Sequence, residues 1–274
     1  MSRFSVVVST HQASFEAVAF KGSVNDSLAA VAAAGYDGAE LAVRNAAEVD
    51  GAQLKRRALE LGLEIPAIGT GQMWGEERLS LTSEDESVRA ATHERIADHV
   101  RLASELDALV IIGLVRGVFP RPELTADSHR WLEEGLRSVG EIAEAEGVRI
   151  ALEAINRYET AYVNTVASGL ELLERVGCDS VGMLLDTFHM NIEEPSITES
   201  IRSCGDRLFH FHVADSNRWY PGAGHIDFPG ILQTLNQLGY QGFISGEFLP
   251  LPDGPTSIRL GMENLRRIAN SPAE

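Results

Sequence analysis

Basic residues are scarce in this chain. Its 23 lysines and arginines stand against 40 aspartates and glutamates, a formal net charge of −17 over 274 residues. Such a chain repels phosphate backbones and anionic lipid surfaces, which argues against nucleic-acid and membrane partners. Cysteine is nearly absent. Cys178 and Cys204 have no metal-binding or redox spacing and read as free thiols of a reducing compartment. No apolar run is long enough to span a bilayer, and Ser2 and Arg3 lead straight into a strand-like stretch without a secretory leader. A cytoplasmic protein is therefore expected. No Pro/Gly/Ser-rich linker or low-complexity segment divides the chain, so residues 1–274 are read as a single domain. There is also no Gly-rich phosphate loop after the first apolar run, which instead ends STHQASF.

What the chain does have is alternation. With 44% hydrophobic residues it can bury a large core. Strand-like runs at 4–10, 37–43, 63–69, 108–114, 148–154, 181–186, 208–214 and 242–248 alternate with helix-like segments. Those helices are expected at 26–34, 52–61, 84–106, 125–146, 165–176, 196–203, 228–238 and 256–269. Helices that close on glycine just before apolar runs are the punctuation of αβ units. Near-continuous apolar strands imply a parallel sheet covered on its outer face. Eight such units in this length predict a closed (β/α)8 TIM barrel, with a doubly wound open sheet as the runner-up.

In a barrel, chemistry collects where the strands end. Four consecutive runs end on polar groups: VRIALE on Glu153, VGMLLD on Asp186, LFHFH on His212 and GFISGE on Glu247. Any one of them could be a helix cap or a solvated loop residue. Four at equivalent positions are harder to explain that way. Three carboxylates converging on one mouth repel each other unless a cation sits among them. Oxygen ligands with one imidazole suit one divalent ion, Mn²⁺ first, with Co²⁺ or Mg²⁺ as alternatives. Such an ion could act as a Lewis acid on a hydroxy-ketone and stabilise an enediolate. His210 and His212 alternate, so one of the pair is expected to face the helices as an ordinary half-buried residue. His189 is expected on the loop after Asp186. Arg157 and Asn217 are as readily idle loop polars as ligand contacts.

The strings LEAINRYET, LLDTFHMNIEE, HFHVADSNRWYPGAGHIDF and GEF together resemble the xylose-isomerase-like TIM-barrel superfamily, and within it the ketose 3-epimerases of the tagatose and allulose group. FKG (20–22), AIGTGQ (67–72), LVIIGLVRG (109–117) and DTFHMNIEE (186–194) are most similar to 5-keto-L-gluconate epimerases. The resemblance runs in order along nearly the whole chain. It implies that Glu153, Asp186, His212 and Glu247 are metal ligands, and that Glu153 and Glu247 are the acid and base on opposite faces of the substrate carbon. It further implies that Glu159, His189 and Arg218 contact a sugar or sugar acid, and that identical chains assemble as a dimer or tetramer.

After the fourth strand the chain reads VRGVFPRP, where epimerases of neutral sugars tend to carry an aromatic-containing loop. Arg116 lies there, at or beyond the strand's mouth, and a guanidinium fork matches a carboxylate. Gly117 after it leaves room for a close approach to a ligand. A keto-hexonate or hexuronate held by Arg116 is therefore expected, with Lys21 and Arg121 as weaker candidates. The plain alternative is a surface arginine paired with a nearby acid. The same metal site would also serve an aldose–ketose isomerase or an inosose-type dehydratase. More distant alternatives are a DNA-repair nuclease, which needs further ligands and a basic groove, and a sugar-binding protein without catalysis.

Overall fold

Eight short strands pair side by side in chain order, all parallel: β1 (Arg3–Ser9), β2 (Gly38–Ala42), β3 (Ala67–Gly69), β4 (Leu109–Ile112), β5 (Ile150–Glu153), β6 (Val181–Asp186), β7 (Leu208–Val213) and β8 (Phe243–Gly246). β8 pairs with β1 and closes the barrel. These features come from a computed structural model that describes residues 2–12 and 14–270. The (β/α)8 barrel expected from the alternation is the observed fold.

Side-chain alternation along each strand divides the core into two layers. Outward residues such as Phe4, Val6, Leu41, Ile112, Leu152 and Phe211 pack under the helices. Their alternates fill the barrel: Ala67, Leu109, Ile111, Ala151, Leu184 and Phe209 form a small separate cluster. The surrounding helices begin where a side-chain oxygen can accept a first-turn N–H. Asp50, Thr165, Ser196, Asp227 and Asp253 all do this.

Three departures from expectation have local causes. The third strand was expected over 63–69 but covers only Ala67–Gly69, because Pro66 has no N–H to give to a ladder. Two short helices follow strands directly, Gly71–Glu77 after β3 and Thr187–Glu193 after β6. His189 therefore stands on a helix and not on a loop. In β7 the pairing shifts, with Met183 opposite Leu208 and Leu184 opposite His210, so Phe209 is an extra residue. Beyond that bulge His210 and His212 are two apart and share one face. Both point into the barrel and both are buried, so the expectation that one of them faces the helices is wrong.

Candidate functional site

The four strand-end groups come together. Glu153 ends β5, Asp186 ends β6, His212 lies opposite Asp186 on β7, and Glu247 follows β8, its N–H donating to the Val213 carbonyl at 3.2 Å. One ligand atom from each lies within 4.8 Å of every other. Asp186 has two tasks. Its Oδ1 accepts from the N–H groups of Phe188 (2.6 Å) and His189 (3.3 Å), capping the helix Thr187–Glu193. Its Oδ2 is left 3.8 Å from His212 Nδ1, which is also 3.9 Å from Glu247 Oε2.

Three of these atoms, Glu153 Oε1, Asp186 Oδ2 and His212 Nδ1, are buried with no hydrogen-bond partner. Orphaned buried polar atoms are costly and rare. Here they belong to three different strands and face one point. A divalent cation satisfies all three at once, and the donor set of carboxylate oxygens and one imidazole nitrogen is the kind that Mn²⁺, Mg²⁺ or Co²⁺ accepts. The residues present therefore fit a metal.

The electrostatics without an ion fit the same picture. Burial pushes Glu247 up to about 8, with the Glu153 and Asp186 charges adding to the effect and His212 and Arg218 opposing it. Glu153 is held below the usual carboxylate range, because His189, His212 and Arg116 outweigh its burial. His212 is raised to about 10 despite burial, by Glu40, Glu247 and Glu153. The two glutamates thus differ in proton affinity, one inclined to hold a proton and the other to lack it.

Around this quartet stand the other expected side chains. Arg218 occupies a left-handed backbone conformation (φ 60°) that few arginines adopt. Its main chain is fixed by reciprocal bonds: Arg218 N donates to the Asp215 carbonyl, and Asp215 N to the Trp219 carbonyl, both at 2.8 Å. The Asp215 carboxylate in turn accepts from the N–H groups of Ser216, Gly222 and Ile226, which gathers the whole 215–226 loop. So held, the guanidinium lies over Phe188 and bridges Glu159 Oε1 (3.2 Å) and Glu247 Oε2 (3.3 Å). His189 Nε2 lies 3.5 Å from Glu153 Oε1, and its Nδ1 lies 2.7 Å from the Asn156 amide. Glu153, Glu159, His189, His212, Arg218 and Glu247 line one cavity. Val7, Phe15, Ala42, Ile111 and Leu114 add apolar surface to the same cavity, and Phe15 lies under the Arg218 guanidinium.

Arg116 departs from expectation. It is fully buried, with Nε donating to the Gly113 carbonyl at 3.1 Å and Nη1 donating to the Glu153 carbonyl. A short 3₁₀ turn, Leu114–Arg116, folds the side chain back beneath the strand ends, and it does not line the cavity. A group in that place braces the chain end that carries Glu153 and is closed off from a substrate carboxylate. Gly117 leaves room for the protein itself and not for a ligand: at φ 118°, a Cβ there would lie 1.7 Å from Thr82 Oγ1. Neither of the weaker candidates lines the cavity. Arg121 pairs with Glu84 at the surface. Arg157 pairs with Glu193 at 2.7 Å, and Asn217 bonds within its own turn.

One buried participant was missed from the sequence. Glu40, in the middle of β2, reaches both His210 and His212. A lone acid inside the apolar run DGAELAV was the available signal, since a strand buried on both faces can hold a carboxylate only beside a donor.

The family model described as xylose isomerase-like TIM barrel matches residues 28–268. The chain is similar to the D-psicose 3-epimerase of Agrobacterium fabrum, 34% identical over 169 residues, covering 60% of this chain and 58% of that protein. It is similar to the L-ribulose 3-epimerase of Mesorhizobium japonicum, 34% identical over 196 residues, covering 71% of this chain and 65% of the relative. The match thus spans less than two thirds of either relative. The solved structure of a 3-keto-D-glucoside 4-epimerase from E. coli superposes with a TM-score of 0.83 at 22% identity, covering 97% of this chain and all of that one, a likeness of fold. Matched by the family model along most of its length, and closed into the eight-stranded barrel that the model describes, this chain belongs to the xylose isomerase-like TIM-barrel family.

Proposed function

We propose that the protein is a divalent-metal-dependent sugar epimerase that inverts a carbon next to a ketone, acting on an uncharged keto sugar. The observation that carries this is the convergence of Glu153 Oε1, Asp186 Oδ2 and His212 Nδ1 on one point without hydrogen-bond partners, with Glu247 completing the set. A bound divalent ion would polarise the substrate ketone and acidify the neighbouring C–H. Mn²⁺ is the first choice, with Co²⁺ or Mg²⁺ next.

The remaining work falls to side chains. One of Glu153 and Glu247 takes the proton from carbon, which leaves an enediolate. The other returns a proton from the opposite face. Arg218 holds Glu247 and Glu159 in place, and Glu159 and His189 present acceptor and donor atoms to substrate hydroxyls. Apolar residues in the lining, Val7, Ile111 and Leu114 among them, limit water around the carbanionic intermediate. The relatives' names support the same chemistry. Carbon 3 of a 2-ketose and carbon 4 of a 3-keto sugar both lie beside the ketone, so one proton transfer describes a 3-epimerase and a 4-epimerase.

The charge of the cavity favours a neutral substrate. Glu40, Glu153, Glu159 and Glu247 line it, and its one arginine, Arg218, is already shared between two carboxylates. With Arg116 closed off, the described residues lining the cavity offer no unshared guanidinium or ammonium for a substrate carboxylate, and the sugar-acid expectation gives way to a free ketose or keto sugar. Assembly into dimers or tetramers is part of the proposal and is supported by the family resemblance alone.

The test is a panel of free ketoses, 3-keto-glycosides, keto-hexonates and ketose phosphates, incubated with protein and Mn²⁺ and read by NMR. Inversion beside the ketone of a neutral member, abolished by chelator and restored by metal, is expected. Turnover confined to the keto-acids or phosphates would overturn the substrate class. An aldose product or loss of water would replace epimerisation with isomerisation or dehydration.

A further inference from the structure

Glu40 stands on β2, and the two histidines it meets stand on β7, with β1 and β8 between them on that side of the barrel. The contact therefore crosses the barrel interior. All three side chains are about 1% exposed. His210 Nε2 lies 2.7 Å from Glu40 Oε2, and His212 Nε2 lies 3.0 Å from Oε1 and 3.1 Å from Oε2. The trio also offers three ligand atoms of its own. Its separations, however, are those of N–H···O bonds, with a proton already between each pair.

An ionised carboxylate only accepts, so each ring must present an N–H at Nε2. For His212 this settles which nitrogen is left for the acids on the other side. Its Nδ1 is buried, lacks any hydrogen-bond partner, and faces Asp186 Oδ2 and Glu247 Oε2. We infer that Glu40 is a positioning residue that fixes the Nε2–H tautomer of His212, so that Nδ1 enters the quartet as a neutral metal ligand, and that His210 is there to hold Glu40. A carboxylate behind a ligating imidazole fixes the ring's orientation and raises its basicity. The inference rests on the metal site proposed above.

The test uses the intact protein with ¹⁵N-labelled histidine, loaded with ¹¹³Cd²⁺ as the probe ion. The expected spectrum has cadmium coupled to Nδ1 of one ring, while Nε2 of that ring carries a proton that exchanges slowly with solvent. The companion variant is Glu40→Gln. Its amide offers one carbonyl to two ring N–H donors, and metal affinity measured by chelator competition should fall about 10–100-fold. The role of Glu40 fails if cadmium couples to Nε2, if the distal proton exchanges freely, or if folded Glu40→Gln binds metal as the wild type does. Should that variant not fold, the wild-type spectrum decides alone. If no histidine couples to cadmium, the metal site falls and takes this role with it. Coupling through Nδ1 with an unprotected Nε2–H removes only the role of Glu40.

Discussion

Asp186→Asn separates the two tasks of Asp186. Asn caps a helix about as well as Asp, so the bonds from Phe188 and His189 to Oδ1 should survive. Oδ2 becomes an amide nitrogen, and one of three mutually repelling carboxylates loses its charge. Two such charges about 4 Å apart repel by about 4 kcal/mol at an effective dielectric near 20. Protonation of Glu247, raised to about 8, relieves part of that. The attraction of Asp186 to His212, raised to about 10 and 3.8 Å away, offsets much of the rest, so the metal-free variant should stay within about 1 kcal/mol of the wild type.

With metal the two proteins part. At an ion concentration of 100 times its Kd, the wild type gains about 2.7 kcal/mol. At about 2 °C per kcal/mol for a chain of this size, that raises Tm by about 5 °C. Losing an anionic ligand should cost about 100-fold in affinity, at least as much as the loss of a carboxylate behind a ligand. At the same ion concentration the variant then gains only about 0.4 kcal/mol, less than 1 °C. The assay is thermal unfolding of both proteins in chelator and in Mn²⁺. An equal metal-induced shift in the two proteins would refute the ligand role. A variant several degrees less stable in chelator would show that Oδ2 stabilises the fold without an ion.

Other outcomes follow from the same geometry. Because Glu247 is raised to about 8, it favours the metal-free fold fully below about pH 4.5, and that contribution is lost as pH climbs towards 8. Glu247→Gln should flatten the stability profile between pH 5 and 8 in chelator, by up to about 1.4 kcal/mol per pH unit; equal slopes in variant and wild type would deny the shift. Arg116→Ala leaves the Gly113 and Glu153 carbonyls unpaired beside a cavity and should destabilise by about 2–5 kcal/mol. Its effect on kcat/KM should be alike for neutral and acidic sugars, and a loss confined to acids would restore the carboxylate-binding role. Gly117→Ala combines a left-handed φ of 118° with a Cβ 1.7 Å from Thr82 Oγ1 and should lower Tm by several degrees, whereas an unchanged Tm would mean that this turn relaxes freely.

Much of the site was legible because barrels put strand ends together. Glu153, Asp186, His212 and Glu247 each close an apolar run, and a parallel barrel turns that one-dimensional regularity into proximity. What escaped depended on direction and depth. The spacing of two in LFHFHVA already puts His210 and His212 on one face, and only which face they take, set by the bulge at Phe209, was hidden. Arg116 sits where a ligand-binding arginine would sit in sequence, but a three-residue turn sends its side chain beneath the strands. Glu40 needed a partner on the far side of the barrel, and no sequence-local pattern reports a contact across 170 residues.

The most direct test of the proposed chemistry is turnover in D₂O of whichever keto sugar the panel identifies, with each product carbon examined by NMR. Two glutamates exchanging protons with solvent on opposite faces of one carbon predict deuterium at the inverted carbon and nowhere else. Product inverted at that carbon without deuterium, under conditions where a catalytic carboxyl has time to exchange, would contradict the two-glutamate mechanism; deuterium at a neighbouring carbon with the carbonyl moved would make the protein an isomerase.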